Sequence, residues 1–174
     1  MAADLATVSG FAVTDPETPS RPILATIRLP APRFEGDYAP RYTALRMHLI
    51  RWFEAHRPAV LVFEAALILG APGLKTNVHT ARLLNGMAAI AEEAAHSHGI
   101  EVGEANNAEV RRHFIGTNRG RRAELKDAVM RRCSQLGWLP KNDNEGDAAA
   151  TWDFQTHLMR ANRRLRPTLA MGRP

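Results

Sequence analysis

The pattern of apolar and polar positions along the chain predicts five strands and five helices, in the order β-β-β-α-β-α-β-α-α-α. Alternation broken by turn residues predicts an antiparallel meander of three strands in the first part of the chain: one that ends near Asp4, Phe11–Thr14 after a glycine turn, and 23–29. The apolar run 59–65, which is entered through Pro58, is typical of a buried parallel strand, and 100–105 predicts another.

Apolar residues that recur every three or four positions predict the helices. We expect them at about 40–56, His79–Ser97, Ala108–Phe114, Arg122–Leu136 and Gly146–Ala161. The order of elements indicates an α/β domain, in which a mixed sheet joins the meander to parallel strands and is flanked by helices. We assign 1–160 to this single domain and 161–174, which is basic and contains proline, to a flexible C-terminal tail.

The charge of the chain favours a polyanionic partner. Its net charge is +5 and its isoelectric point is about 10.1, so nucleic acid is the expected class of partner. The single cysteine, Cys133, excludes a disulfide framework and a cysteine-rich metal site, and it fits a reducing cytosol. Glu64 and Gly70 interrupt the longest apolar stretch, so we expect neither a membrane span nor a membrane partner.

Three acidic residues occupy notable positions in this pattern. Asp4 ends the first strand, Glu64 ends the apolar strand, and Asp147 lies at the start of the last helix. If these points meet at one edge of the sheet, divalent cations such as Mg²⁺ or Mn²⁺ would relieve the repulsion between the carboxylates. Two such cations can activate water and stabilise the leaving oxygen of a phosphodiester. A purely structural interpretation is also open, with Asp4 on the surface and the acids of 143–147 capping the helix.

Four stretches of the sequence together resemble one family of enzymes. DLATVSGFAV, LVFEAA, VRRHFIGTNRGRRAELKDAV and DNEGDAAA follow one another in the order and with the spacing typical of RuvC-type Holliday-junction resolvases, which belong to the RNase H-like nuclease superfamily. The resemblance is greatest to the phage-like members and extends from residue 4 to about 155. It implies an RNase H-like fold with a mixed five-stranded sheet.

The resemblance also implies four ligand positions for two Mg²⁺ (or Mn²⁺) ions. Asp4, Glu64 and Asp147 match three of these positions. The fourth, three residues before the last, is an acid or sometimes a histidine in the family, whereas this chain has Asn144. We therefore expect either Asn144 or the preceding Asp143 to complete the set, and Glu145 to cap the helix.

The resemblance further implies that the basic segment 110–126 contacts DNA, although its residues alone also permit a solvated helix face. Arg111 and Arg122 match positions that contact the DNA backbone, and four further cations support them: Arg112, Arg119, Arg121 and Lys126. Leu67 matches an apolar residue that helps to open the centre of the junction. The helix that begins near His79 matches the two-fold interface of a homodimer, although its apolar stripe must also serve core packing.

These features predict a homodimeric, metal-dependent endonuclease that resolves four-way DNA junctions by paired cuts, in the cytoplasm of a bacterium or of a phage-infected host. Two alternatives stay open. One is a nuclease of the same fold that also cuts flaps and forks. The other is a DNA-binding relative without catalytic activity, which the neutral side chain of Asn144 favours.

Overall fold

The computed structural model describes residues 1–65 and 77–165, with side chains as far as Ala161. Within these ranges it contains the predicted five strands and five helices in the predicted order. The strands are β1 (Ala2–Asp4), β2 (Val8–Thr14), β3 (Pro22–Arg28), β4 (Val60–Glu64) and β5 (Glu101–Ala105). The helices are α1 (Ala39–His56), α2 (Val78–His96), α3 (Asn107–Ile115), α4 (Arg122–Gln135) and α5 (Asp143–Leu165). None of the helices in the described ranges is long and apolar enough to span a membrane.

The five strands form one mixed sheet in the order β3-β2-β1-β4-β5. The first three strands pair antiparallel, and β4 and β5 add parallel strands on the other side of β1. This arrangement confirms the prediction of a meander joined to parallel strands. β1 has only three residues, but it lies at the centre of the sheet with partners on both sides, and the main-chain N–H of Val62 donates to the carbonyl of Met1 at 2.9 Å. Asp4 therefore ends a well-anchored strand.

Alternation along the strands divides the core between the two faces of the sheet. Phe11 and Phe63 point to one face, where they pack in a cluster with buried residues of α1 and α2. Ala12 and Val62 point to the other face, where the cluster includes buried residues of α3 and α4 and Trp152 of α5. The sheet is thus covered by helices on both sides, and α5 lies over β1 and β2.

Small residues allow α5 to lie unusually close to the sheet. The alanines 148–150 are fully or almost fully buried beneath it. A Cβ atom added to Gly10 would lie only 2.0 Å from the carbonyl oxygen of Asn144, so the helix backbone occupies the space that a side chain would need. The sequence prediction placed Gly10 in the turn before the second strand, which is wrong: Gly10 lies inside β2 and pairs with Asp4 and Thr26. Its lack of a side chain serves the contact with α5.

Helix α5 begins three residues earlier than predicted, at Asp143. The side chain of Asn142 accepts a hydrogen bond from the N–H of Glu145 at 3.0 Å, and its carbonyl accepts one from Gly146 at 3.1 Å, so Asn142 caps the helix. At the other end, α5 continues to Leu165. The boundary predicted between domain and tail, at 160–161, therefore falls inside this helix. Residues 166–174 lie outside the described residues.

Candidate active site at the ends of β1 and β4

The ends of β1 and β4 bring two of the predicted acids to the same place. Asp4 is two residues after Ala2, and Glu64 is two residues after Val62, so both lie on the face of the sheet that α5 covers. Ala2 pairs with Val62 and Ala3 with Phe63 in parallel register. Continued by one residue, this register sets Asp4 beside Glu64.

Helix α5 supplies the third predicted acid. Asp147 lies on the second turn of the helix, and Asp4, Glu64 and Asp147 all line one open cleft of about 720 Å³. The close contact between Gly10 and the main chain of Asn144 holds the start of α5 at this end of the sheet, because Gly10 is the direct partner of Asp4. The structure therefore brings the three acids together, as predicted.

The carboxylates in the cleft repel one another. Burial raises the pKa of Asp4 to about 7, and the negative charges of Asp147 and Glu64 add to this rise. Burial also raises the pKa of Asp147, although the positive charges of Lys126 and Arg111 oppose the rise. Glu64, the last residue of β4, also lines the cleft, and its side chain is exposed. The negative charge is thus concentrated where Asp4 and Asp147 are partly removed from water.

The donor atoms in this cleft suit a hard divalent cation. Carboxylate and amide oxygens are the ligands that Mg²⁺ and Mn²⁺ prefer, and a cation would offset both the burial and the repulsion that raise the pKa of Asp4. In their present positions, however, no three His, Cys, Asp or Glu side chains of the described residues form a ready-made metal-binding group. The residues fit the predicted cations in chemistry, and the predicted number of two ions remains a prediction.

The first turn of α5 gives its polar residues three different environments. Asp143 forms an ion pair with Lys126, and the hydrogen bond from Lys126 lowers the pKa of Asp143. Asn144 lines the cleft together with Asp4 and Asp147. Glu145 is only 2% exposed. Its carboxylate accepts hydrogen bonds from the hydroxyl of Thr26 and from the N–H of Lys141, both at 2.7 Å.

Two residues, Asn142 and Glu145, therefore hold the start of α5, and the sequence interpretation identified only Glu145. We expected Glu145 to be the capping residue, and it does bind a main-chain N–H just before the helix. The side chain that caps the free N–H groups of the first turn is Asn142, which also donates to Thr26 at 2.9 Å. Asn142 and Glu145 together attach the start of α5 to β3.

Three of the predicted cations line the cleft and three do not. Arg111 of α3, Arg122 at the start of α4 and Lys126 one turn later border it with the carboxylates. The Nε atom of Arg111 is buried, and no group among the described residues accepts a hydrogen bond from it. The other three are exposed and do not line the cleft: Arg112, Arg119 and Arg121. Leu67 lies outside the described residues.

Arg121 is already engaged elsewhere. Its Nε donates to the carboxylate of Glu124 at 2.7 Å, and Glu124 in turn accepts from the main-chain N–H of Arg121 at 3.1 Å. This pairing closes the first turn of α4. It holds Arg122, the next residue, at the helix N-terminus beside the cleft.

The cleft contains further polar residues that the sequence interpretation did not single out. Asn107 begins α3, two residues after the end of β5, and lines the cleft together with Arg111. Asn118 lies in the loop before α4, and Thr80 in the first turn of α2. Glu64 is the last residue of its strand, whereas Asn107 lies two residues beyond the end of β5, so its proximity to a strand end is a weaker form of the signal that identified Glu64. Thr80 and Asn118 carried no comparable signal.

Comparisons with known proteins bear on the fold. No protein-family model matches the chain, and no curated protein matches it in sequence. Among solved structures, RuvC of Thermus thermophilus matches with a TM-score of 0.66 at 15% identity, over 92% of this chain and 96% of that one. A structure of T. thermophilus RuvC in complex with a Holliday junction substrate matches with a TM-score of 0.69 at 16% identity, over 92% and 95% of the two chains.

These similarities extend over nearly the whole of both chains. At such low identity the likeness concerns the fold, and activity must be argued from the site itself. The chain has the RuvC-like, RNase H-type α/β fold that the four sequence stretches implied.

Proposed function

We propose that this chain is a metal-dependent endonuclease that resolves Holliday junctions by paired hydrolysis of phosphodiester bonds in branched DNA. One observation carries the proposal: three carboxylates and three cationic side chains line a single cleft, on a fold shared with a protein solved together with a Holliday junction substrate. Carboxylates bind the divalent cations that can catalyse phosphodiester hydrolysis, and arginine and lysine bind phosphate.

The carboxylates of Asp4, Glu64 and Asp147 would hold Mg²⁺ or Mn²⁺, with two ions in each site and a fourth oxygen from Asp143 or Asn144. Such ions, when bound, lower the pKa of a water nucleophile and stabilise the oxygen that departs from phosphorus. The chain contributes the rest. It holds Asp4 on the central strand and Asp147 on α5, both partly buried, so that the repulsion between them favours cation binding.

Three cationic side chains that line the cleft form its basic wall and would bind the DNA backbone: Arg111, Arg122 and Lys126. Arg111 lines the cleft together with the carboxylates. Its buried Nε has no hydrogen-bond acceptor among the described residues, and a phosphate oxygen could serve as that acceptor. Arg122 begins α4, where its guanidinium and the helix N-terminus both favour an anion. Arg112, Arg119 and Arg121 are exposed beside these residues and could bind phosphates farther along the strand.

Two copies of the chain would act on one junction. A four-way junction has near two-fold symmetry, and paired cuts in opposed strands require two sites related by the same symmetry. We propose that the exposed side of α2, which includes Val78 at 60% exposure, forms the interface of this homodimer. Light scattering of the purified protein tests this assembly directly.

Cleavage of defined DNA substrates tests the function. A labelled four-way junction, a fork, a flap and a linear duplex of the same sequence are incubated with the protein in Mg²⁺, in Mn²⁺ and in EDTA. We expect two symmetric nicks in the junction with either cation and none in EDTA. Equal cutting of forks and flaps would favour the broader structure-selective nuclease. Junction binding without cutting under all conditions would favour a non-catalytic relative, which is the outcome that the neutral Asn144 makes worth testing.

A further inference from the structure

Two consecutive residues of α5, Asp143 and Asn144, have different surroundings. Asp143 is paired with the ammonium group of Lys126, a side chain that α4 supplies. Asn144 lines the cleft with Asp4 and Asp147, whereas Asp143 is not among the residues that line it. Helical geometry explains the difference, because consecutive side chains are about 100° apart around a helix axis.

The position of Lys126 makes this ion pair part of the site. Lys126 borders the cleft, its side chain is only 21% exposed, and its positive charge acts on both Asp4 and Asp147. An ammonium group in such a place competes with a divalent cation for the same carboxylates. Its pairing with Asp143 directs the ammonium toward the first residue of α5 and offsets part of its charge.

The main chain at Asn144 is also fixed. Its carbonyl lies against Gly10, so close that a Cβ there would be 2.0 Å away, and Gly10 pairs with Asp4 across the sheet. The side chain that leaves this backbone position is half-buried. Asn144 is thus anchored beside Asp4, while Asp143 is occupied by Lys126.

We infer that Lys126 and Asp143 form a positioning pair, in which Asp143 holds Lys126 away from the other carboxylates and does not itself bind the cation, and that the amide oxygen of Asn144 is the fourth ligand. This inference rests on the proposed metal-dependent function and resolves the choice between Asp143 and Asn144. Lys126 then serves the site as a restrained counter-charge to Asp4 and Asp147, in addition to any contact that it makes with phosphate.

Asp143 can act as a metal ligand or as the partner of Lys126, and a double substitution gives different results for these two roles. Binding of Mn²⁺ is measured by calorimetry without DNA for the wild type, for Asp143→Asn and for Asp143→Asn combined with Lys126→Met. We expect Asp143→Asn to weaken Mn²⁺ affinity by about tenfold, as is common for residues that support metal ligands. The freed ammonium of Lys126 then competes for Asp4 and Asp147. The second substitution removes this competitor, so the double variant should return to within about twofold of wild-type affinity.

Control variants separate this effect from a general change in charge. Lys141→Met, combined with Asp143→Asn, removes an exposed lysine that does not line the cleft, and it should not restore affinity. Asn144→Ala should weaken binding by at least about tenfold whether or not Lys126 is present. Thermal melting of each variant verifies that it is folded.

The inference is overturned if the Asp143→Asn, Lys126→Met variant binds Mn²⁺ as weakly as Asp143→Asn alone, because Asp143 would then be a ligand itself. It is equally overturned if Asn144→Ala binds like the wild type, or if the wild type binds no Mn²⁺. DNA cleavage is not needed for any of these results. If the affinities follow the expected order but junctions are not cut, the proposed function fails and the ligand assignment stands.

Discussion

The first two turns of α5 carry a buried or partly buried carboxylate on each of two sides, and the surroundings of these two carboxylates differ. On the side that faces β3, Glu145 is buried and accepts two hydrogen bonds, from Thr26 and from the main chain of Lys141. On the side that faces the cleft, Asp147 lies near Asp4 and Glu64, and burial raises its pKa. One carboxylate is stabilised by its neighbours, and the other is destabilised by its removal from water.

This difference shows how structural and functional acids can be told apart within one short segment. Donors that satisfy a buried carboxylate make it a rigid part of the fold. Carboxylates collected in one cleft raise the energy of the folded protein until a cation binds there. The first turns of α5 therefore attach the helix on one side, through Glu145 and Asn142, and present Asn144 and Asp147 to the cleft on the other.

The sharpest test exchanges one acid on each side for its amide. Asp147→Asn removes the charge of a proposed ligand, and we expect junction cleavage to fall by about a thousandfold, since bound cations contribute several kcal/mol to the transition state. Junction binding should be largely retained. Glu145→Gln should retain cleavage but lower the free energy of unfolding by about 1–3 kcal/mol, because a buried hydrogen-bond acceptor is lost. Cleavage assays and urea unfolding of both variants measure the two effects.

Two results would contradict the proposed difference between Asp147 and Glu145. Retained cleavage in a pure preparation of Asp147→Asn would exclude the proposed mechanism. Unchanged stability of Glu145→Gln would show that its hydrogen bonds do not attach the helix.

A second test moves the whole first turn of α5. In Gly10→Ala the new methyl group would lie 2.0 Å from the carbonyl oxygen of Asn144, so the helix must shift or the strand must bend. We expect a loss of about 3 kcal/mol or more in the free energy of unfolding, together with a large loss of cleavage. Gly103→Ala is a matched control in β5, since its Cβ would approach no closer than 3.6 Å, to Val62. Equal stability of the two variants would contradict the close contact.

A third test uses pH to measure how much the ionised carboxylate of Asp4 lowers the free energy of unfolding. The carboxyl of Asp4 has a pKa of about 7 in the fold, against an ordinary value of 3.8. Between these values the folded protein retains a proton that the unfolded chain has released, so stability falls as the pH rises from about 4 to about 7 and stays reduced above that. Asp4→Asn removes this loss. In cation-free buffer at pH 8 the variant should be about 2–4 kcal/mol more stable than the wild type, and at pH 4 the two should be equal.

Urea unfolding at the two pH values measures this difference. Asp127→Asn, which replaces an exposed acid of α4, is the control and should show no such dependence. A wild type that is as stable as Asp4→Asn at pH 8 would mean that the cleft does not destabilise its carboxylates.

Much of this site could be predicted from the sequence because strand ends are visible in it. Continuous or alternating apolar runs indicate where β1 and β4 end, and an acid at each end made Asp4 and Glu64 candidates to meet at one edge of the sheet. The order and spacing of four motifs then gave the fold. The sequence did not show that Glu64 is exposed whereas Asp4 and Asp147 are partly buried, because exposure depends on how the helices cover the sheet.

The details that the sequence did not provide depend on contacts between distant elements. Gly10 reads as a turn residue until α5 is seen against it. The start of α5 depends on Asn142, whose role follows from its hydrogen bonds to Glu145 and to Thr26 of β3. The pairing of Asp143 with Lys126 joins two helices, and no periodicity within one helix indicates such a pair.

The smallest effect concerns the basic wall of the cleft. Affinity for DNA should fall steeply with salt, and each phosphate contact that is lost should reduce the slope of log K against log salt by about 1. We expect this change for Arg111→Met and for Arg122→Met, measured by anisotropy with a labelled junction and an inactive Asp147→Asn background. Arg121→Met should change the slope less, because Arg121 is bound to Glu124 and does not line the cleft. Equal changes for all three arginines would mean that DNA contacts the whole basic segment uniformly, and a salt-independent affinity would exclude the basic wall as the DNA-binding surface.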